Sequence, residues 1–208
     1  MSELEKLSGN MALIIGAASP FGLAIAKRLA AEGCTLHLAD GNETDLEDAL
    51  QEIGLDDENE PETHPTDVTN AINVSALALE CEEVNILINT LPTPPDGGIG
   101  DLDHGDWQRA FDNTVLTAIN ITTEVYESLQ DIGTGMIFNI GCCGQPLGRQ
   151  RSLCQDTLNA ALRQFSENLD KEAALRGVRV YFRQPGMGER PEELADDVVG
   201  QILAHQAS

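Results

Sequence analysis

The chain has 208 residues, 41% of them hydrophobic, and no linker rich in Pro, Gly or Ser divides it, so one domain over residues 1–208 is expected. Its 35 acidic residues outnumber its 12 basic ones, and the formal net charge of −23 excludes binding to DNA, RNA or anionic lipid surfaces. We predict a soluble cytoplasmic protein, because the cysteines form no CxxC pair, Met1 precedes polar residues and no apolar run approaches the roughly 18 residues that span a bilayer.

Apolar runs bounded by turn residues alternate with segments of helical period along the chain. The predicted strands are 11–15, 34–39, 62–66, 84–89, 135–140 and 178–183. The predicted helices are 20–32, 44–53, 70–81, 106–130, 155–176 and 190–205. Strict alternation with right-handed crossovers predicts a doubly wound parallel sheet of about six strands, covered by helices on both faces, which is the Rossmann-type three-layer α/β/α fold.

The first predicted strand runs directly into a turn, Gly16-Ala-Ala-Ser-Pro-Phe-Gly22, that opens the first helix. Glycines in such a turn let the backbone approach a pyrophosphate, while the helix N-terminus supplies N–H groups and a positive dipole. Ser19 can cap this helix, and Pro20 can be its first residue. However, the proline ring is expected to occupy space that a dinucleotide would enter, and proline lacks an N–H donor.

Acidic and amide side chains follow the next strands. Asp40 comes eighteen residues after Gly22, close to the expected position of a ribose-binding carboxylate. A carboxylate there accepts from the ribose hydroxyls and repels a 2′-phosphate, so NAD is favoured over NADP. Asp67 and Val68, in Thr-Asp-Val-Thr, and Asn89, in Ile-Leu-Ile-Asn, follow two later strands.

These motifs, in this order, resemble the short-chain dehydrogenase/reductase family from Gly16 to Pro185-Gly186. The family has a Thr-Gly-x-x-x-Gly-x-Gly turn, an Asp-Val adenine contact, a fourth strand ending in Asn-Asn-Ala-Gly and a sixth ending in Pro-Gly. This chain departs from those motifs at Ile15, at Pro20 and in Thr90-Leu91-Pro92. The resemblance implies that NAD(H) is bound by Gly16, Ser19, Phe21, Gly22, Asp40, Asp67, Val68, Asn89, Pro185 and Gly186.

The family's reaction uses four side chains, and the resemblance implies a position for each. A tyrosine exchanges the substrate proton, a lysine four residues later lowers the tyrosine pKa, a serine binds the substrate oxygen and an asparagine anchors a water. In this chain Thr114 replaces the asparagine, Cys142 the serine, Gln155 the tyrosine and Asn159 the lysine. Because a glutamine amide has no usable acidic proton and asparagine carries no charge, no catalytic residue is assigned.

The segment after Gly186 leads directly into the predicted helix 190–205. The family normally has a helical substrate-covering segment here and a seventh strand at the end. Neither has room in this chain, so we expect an uncovered site and a sheet that ends at strand 178–183.

Five other side chains have alternative interpretations. His104 could be a general base on the rim of the sheet or part of a solvated loop. Cys142 and Cys143 could form a redox site or be small inert residues in a turn. His37 is expected to pack in the core or on a sheet face, and His64 has no suitably spaced Cys or His, so no metal site is predicted.

Two functions remain open. The leading interpretation is a non-catalytic family member that senses a nucleotide, regulates, or serves as a partner subunit. In the family, helices equivalent to 106–130 and 155–176 pair about a two-fold axis, so the resemblance implies a homodimer or heteromer through them. The alternative is an NAD-dependent oxidoreductase for a small carbonyl or alcohol, with a site completed by Cys142 or by a partner chain.

Overall fold

The computed structural model describes residues 6–55, 60–90, 92–142 and 153–206. Within these ranges the strands are β1 Met11–Ile15, β2 Thr35–Asp40, β3 Glu62–Pro65, β4 Ile86–Thr90, β5 Met136–Ile140 and β6 Arg179–Arg183. The α-helices are α1 Pro20–Ala30, α2 Glu43–Ile53, α3 Ala71–Glu80, α4 His104–Phe111, α5 Thr117–Ile132, α6 Leu153–Ala173 and α7 Pro191–Gln206. The predicted order of strands and helices is confirmed, with boundaries that differ by a few residues.

One predicted helix is divided. A π-helical turn over Asp112–Leu116 separates α4 from α5, where the sequence predicts a single helix over 106–130. The Thr117 hydroxyl donates to the Asp112 carbonyl at 2.8 Å, and the Thr114 hydroxyl donates to the Ala110 carbonyl at 2.6 Å. The prediction of one regular helix is therefore wrong. The sequence does not reveal the π-helical turn, because one extra residue within a turn hardly changes the hydrophobic period.

The six strands of the described chain form one parallel sheet in the order β3-β2-β1-β4-β5-β6. This order confirms the doubly wound fold and places the switch point between β1 and β4. Among the strands of the described residues, β6 is one edge of this sheet. The Asp170 carboxylate links α6 to this edge strand, because it accepts hydrogen bonds from the Arg179 guanidinium at 2.8 Å and from the Val180 N–H at 2.9 Å.

Two apolar layers cover the sheet. Side chains of α1, α2 and α7 pack against Ile14, Leu38 and Phe138 on one face. Side chains of α3 and α5 pack against Leu13 and Ile15 on the other. Because β1 is buried on both faces, its sequence is continuously apolar rather than alternating. Within the described ranges, no helix combines the length and hydropathy that a bilayer-spanning segment needs.

Backbone segments approach each other closely at the turn between β1 and α1. A Cβ atom at Gly22 would overlap the Gly16 carbonyl oxygen, and one at Gly16, where φ is 71°, would overlap the Thr90 carbonyl oxygen. The Thr90 hydroxyl lies 2.7 Å from the Ile15 carbonyl oxygen and 2.8 Å from that of Gly16, as a donor to both. Because these two glycines have no side chains, α1, β1 and β4 can approach one another closely at this turn.

We predict that Gly22→Ala lowers the free energy of unfolding by about 1–3 kcal/mol, because the added methyl group meets backbone atoms that cannot rotate away. Urea denaturation measures the change. Gly200→Ala on α7 is the matched control, since its Cβ would meet nothing within 4 Å. It should raise the free energy of unfolding by about 0.5–1 kcal/mol. Equal effects of the two substitutions would contradict the proposed close packing.

Candidate functional site

A cleft of about 370 Å³ opens at the carboxyl ends of the central strands. Its wall contains several residues that the sequence predicts for a cofactor, namely Gly16, Ser19, Asp40, Asp67 and Val68. Asp45, Thr90 and Asn113 also line it and are missed by the sequence analysis. The strand-end position of Thr90 could have indicated its place, whereas Asn113 belongs to the π-helical turn that the hydrophobic period does not reveal.

The other predicted cofactor residues lie outside this wall. Phe21 packs against the core layer of α1 and α7, and Gly22 provides the close approach at the turn. Asn89 is buried, and its amide nitrogen donates to the Asn139 side-chain oxygen at 2.8 Å. Pro185 is buried, while the Gly186 N–H donates to the Glu189 carboxylate just before α7.

The first turn of α1 forms as the sequence predicts. Ser19 is the N-cap, and its hydroxyl oxygen accepts from the Gly22 N–H at 3.1 Å. Pro20 is the first helical residue, but its ring lies in a different groove of about 410 Å³ together with Pro191 and Ala195 of α7. The expectation that this ring fills the cleft is therefore corrected. The reason is that the first residue of α1 faces α7, and only the missing N–H affects the cleft.

Carboxylates determine the charge of the cleft. Asp40 accepts from the Ala18 N–H at 3.3 Å, which directs its carboxylate to the Gly-rich turn. Asp67 accepts from the Thr69 hydroxyl at 2.6 Å and from the Thr69 N–H at 3.0 Å, and these bonds hold the pKa of Asp67 below its ordinary value. Asp45 adds a third acidic side chain, and no lysine or arginine occurs among the described wall residues. The acidic end of the cleft suits hydroxyl donors and disfavours an additional phosphate.

At the catalytic positions implied by the resemblance, the side chains form hydrogen bonds to backbone groups. The Asn159 amide spans Cys142, because its oxygen accepts from the Cys142 N–H at 2.8 Å and its nitrogen donates to the Cys142 carbonyl at 3.0 Å. The Gln155 amide nitrogen donates to the Pro94 carbonyl at 3.4 Å. Thr114 lines a pocket of about 270 Å³ beside the same proline. All four side chains are buried.

The remaining candidates for acid or base chemistry lie elsewhere. Tyr126 packs against the core layer of α3 and α5, Lys171 is exposed on α6, and His104 is exposed as the first residue of α4. None of these three residues occupies one of the four positions that the resemblance implies for the family's reaction. Of the two cysteines proposed as a redox pair, Cys142 is buried and Cys143 lies outside the described residues.

We predict that Asn159→Leu lowers the free energy of unfolding by about 2–3 kcal/mol, because the substitution removes the two hydrogen bonds that the amide makes to the backbone of buried Cys142. Asn168→Leu on the exposed face of the same helix is the control and should change it by less than about 0.5 kcal/mol. Denaturant titration of both variants provides the comparison. A neutral Asn159→Leu would show that the amide is free for another role.

Comparisons with known proteins agree with the fold. The family model for short chain dehydrogenases matches residues 10–193. An uncharacterized oxidoreductase of Staphylococcus saprophyticus is 27% identical over 192 residues, covering 90% of this chain and 82% of the relative. Nodulation protein G of Rhizobium sp. strain N33 is 28% identical over 192 residues, with 88% and 75% covered.

Solved structures give the same result. A short chain dehydrogenase/reductase family protein superimposes with a TM-score of 0.83 at 26% identity, covering 93% of this chain and 89% of its own. A metagenomic short-chain oxidoreductase in complex with NADP has a TM-score of 0.82 at 20% identity, with 96% and 92% covered, and this likeness concerns the fold alone. From the match over most of its length, we conclude that the chain belongs to the short-chain dehydrogenase/reductase family.

Proposed function

We propose that this family member binds a dinucleotide in the cleft, preferring NAD(H), and acts as a nucleotide-sensing or partner subunit rather than through the family's tyrosine–lysine chemistry. The observation that carries the proposal is the contrast between the two parts of the site. The Gly-rich turn and Asp40 line an open cleft, whereas Asn159 and Gln155 use their amides to hold backbone groups.

The described residues fit a dinucleotide. Gly16 and Gly22 bring the turn and α1 together without side chains. Pro20 has no N–H, and the Gly22 N–H is bonded to Ser19, so the first turn offers a phosphate the Phe21 N–H together with the helix dipole. When bound, the nicotinamide ring of such a cofactor supplies a hydride donor or acceptor.

The preference for NAD(H) rests on the acidic end of the cleft. Asp40 is held at the turn by the Ala18 N–H, in the place where a ribose carboxylate belongs in this fold. Asp45 and Asp67 line the same cleft. Three carboxylates favour free ribose hydroxyls and repel the 2′-phosphate that distinguishes NADP.

The lack of the usual chemistry rests on residue types and on the short connection after Gly186. Gln155 has no ionisable proton to transfer, and Asn159 has no charge with which to lower a neighbour's pKa. Shortly after Gly186 the chain enters α7 at Pro191, so little chain is available there to exclude water from a reacting carbonyl.

Relatives named as oxidoreductases favour a second function, an active enzyme with an atypical site. Cys142 occupies the position that the resemblance assigns to the substrate-binding serine, and its sulfur lies 3.9 Å from the Pro92 carbonyl oxygen. In this alternative Cys142, or a residue of a partner chain, completes the site.

Calorimetric titration with NAD, NADH, NADP and NADPH tests the binding proposal. We expect the NAD forms to bind at least about tenfold more tightly than the NADP forms, which corresponds to about 1.4 kcal/mol. Asp40→Ala should remove this difference, and Asp131→Ala, which removes a carboxylate from a separate groove between α3 and α5, should preserve it. Failure of all four dinucleotides to bind would overturn the proposal.

Incubation of the protein with NADH and a panel of ketones tests whether the family's hydride-transfer reaction is absent. We expect no oxidation of the cofactor. Oxidation that disappears in Cys142→Ala would instead establish the alternative enzyme.

We also propose that α4, α5 and α6 form the interface to a second copy or to a related chain. Leu116 and Leu153 are each 44% exposed, and both lie on this part of the molecule. A small apolar cluster of Ala110, Cys154 and Leu158 lies between α4 and α6. Exposed leucines next to a shallow core are typical of helix faces that pair.

Sedimentation analysis tests this interface. The wild type should be a dimer, and the double substitution Leu116→Glu with Leu153→Glu should give a monomer, because two charges would be buried without partners. Leu79→Glu on α3 also charges an exposed leucine, 71% accessible, and should leave the dimer intact. A wild type that is monomeric both alone and mixed with an active relative would contradict the proposal.

A further inference from the structure

A second cluster of titratable side chains lies on the sheet face that α3 covers. His37 on β2, His64 on β3 and Cys81 at the end of α3 are 4%, 9% and 3% exposed. His37 Nδ1 lies 3.0 Å from His64 Nε2, and Cys81 Sγ lies 3.9 Å from the same His64 nitrogen. One ligand atom from each residue lies within 4.8 Å of the others. The sequence has no Cys or His at a metal-motif spacing from His64, but the fold places His37 and Cys81 beside it. His37 packs on a sheet face as predicted.

The parallel register of β2 and β3 explains why the two histidine side chains lie close together. His37 pairs with Glu62, and Ala39 pairs with His64, so both histidines point to the same face of the sheet. The last residue of α3 is Glu80, and Cys81 caps it over that face. The sequence separations of 27 and 17 residues match no compact metal motif, which is why the sequence does not reveal the cluster.

The outer nitrogens of the two rings already face acceptors. His64 Nδ1 lies 3.1 Å from a Glu80 carboxylate oxygen, and His37 Nε2 lies 3.1 Å from the Met11 sulfur. A neutral imidazole has one N–H and one lone pair, so when the outer nitrogens carry the protons, both inner nitrogens present lone pairs. Two lone pairs 3.0 Å apart repel each other unless a proton or a metal cation lies between them.

We propose that this cluster binds a Zn²⁺ ion through His37 Nδ1, His64 Nε2 and Cys81 Sγ, with the Glu62 carboxylate as the fourth ligand. A Glu62 oxygen lies 3.6 Å from His37 Nδ1. Zn–N and Zn–S bond lengths in a tetrahedral site imply separations of roughly 3.3 Å between two nitrogens and roughly 3.5 Å between nitrogen and sulfur. The observed separations of 3.0 Å between the two nitrogens and 3.9 Å between His64 Nε2 and Cys81 Sγ differ from these values by a few tenths of an ångström. The ligand atoms of His37 and Cys81 lie within 4.8 Å of each other, so binding of the ion would draw these two side chains closer together.

The surroundings suit this ion. Two imidazoles and a thiolate are ligands that select zinc-like metals over Mg²⁺ or Ca²⁺. The Glu80 carboxylate on the far nitrogen of His64 is the outer partner that orients a metal-bound histidine. Two neutral rings, one thiolate and one carboxylate balance the charge of Zn²⁺, so the buried site would be neutral. Glu62 and Glu80, with side chains 70% and 64% exposed, provide the entry path.

Metal binding has a defined proton balance. Burial, followed by the charges of Glu80 and Glu62, raises the pKa of the Cys81 thiol to about 12. Formation of the Zn–S bond therefore breaks the S–H bond and releases one proton to water. The ion would tie the four-residue edge strand β3 to β2 and α3, which is a structural role that does not depend on the cleft.

Titration of metal-free full-length protein with Co²⁺ and then Zn²⁺, in high salt to screen surface carboxylates, tests the site. We expect one Co²⁺ per chain, with the thiolate-to-cobalt charge-transfer band and visible bands of a tetrahedral complex, both lost on adding one equivalent of Zn²⁺. Absence of the charge-transfer band in the wild type would overturn the proposal, because the band requires a sulfur ligand.

Variants locate the ion. Glu80→Gln should weaken Zn²⁺ binding by about 10–100-fold, and Cys81→Ser by at least that factor, with loss of the charge-transfer band. Cys34→Ser, which removes another buried thiol on the opposite sheet face, and His104→Gln, which removes an exposed imidazole, should bind as the wild type does. Circular dichroism confirms folding of each variant. Equal Zn²⁺ affinity in all four would show adventitious surface binding only and overturn the site.

Discussion

Thr90 joins the centre of the sheet to the turn that follows β1. Its hydroxyl proton is shared between the carbonyl oxygens of Ile15 and Gly16, and its oxygen accepts from Ser19. The missing Cβ atoms of Gly16 and Gly22 let these segments meet at backbone distance. This contact aims the first turn of α1 at the cleft, so the phosphate-binding capacity that we propose depends on it.

The residues that the resemblance implies for the cofactor and those that it implies for catalysis have different surroundings in this chain. The cofactor part keeps the turn, the strand-end carboxylate of Asp40 and the open cleft between them. At the positions that the resemblance implies for catalysis, the amides of Gln155 and Asn159 form hydrogen bonds to backbone groups of Pro94 and Cys142. Such bonds stabilise the segments that follow β4 and β5, and they take up part of the hydrogen-bonding capacity that these amides could offer to a substrate.

The metal site that we propose lies at the opposite edge from β6, where the sheet has least apolar support. β3 is four residues long, and of these only His64 is buried. An edge strand of this kind needs contacts other than hydrophobic ones. At the other edge, the Asp170 carboxylate holds Arg179 and Val180 of β6. Polar or ionic contacts are thus found at both margins of a sheet whose centre is held by apolar packing.

The amino-acid sequence by itself determined what depends on neighbours along the chain. Apolar periods predict the strands and helices, and Ser19 with Pro20 predicts the start of α1, because capping involves residues within one turn. Only the tertiary structure decided the direction of the Pro20 ring, which depends on α7, and the meeting of His37, His64 and Cys81. Strand register and helix crossovers bring those residues together, and such long-range pairings leave no periodic signal in the sequence.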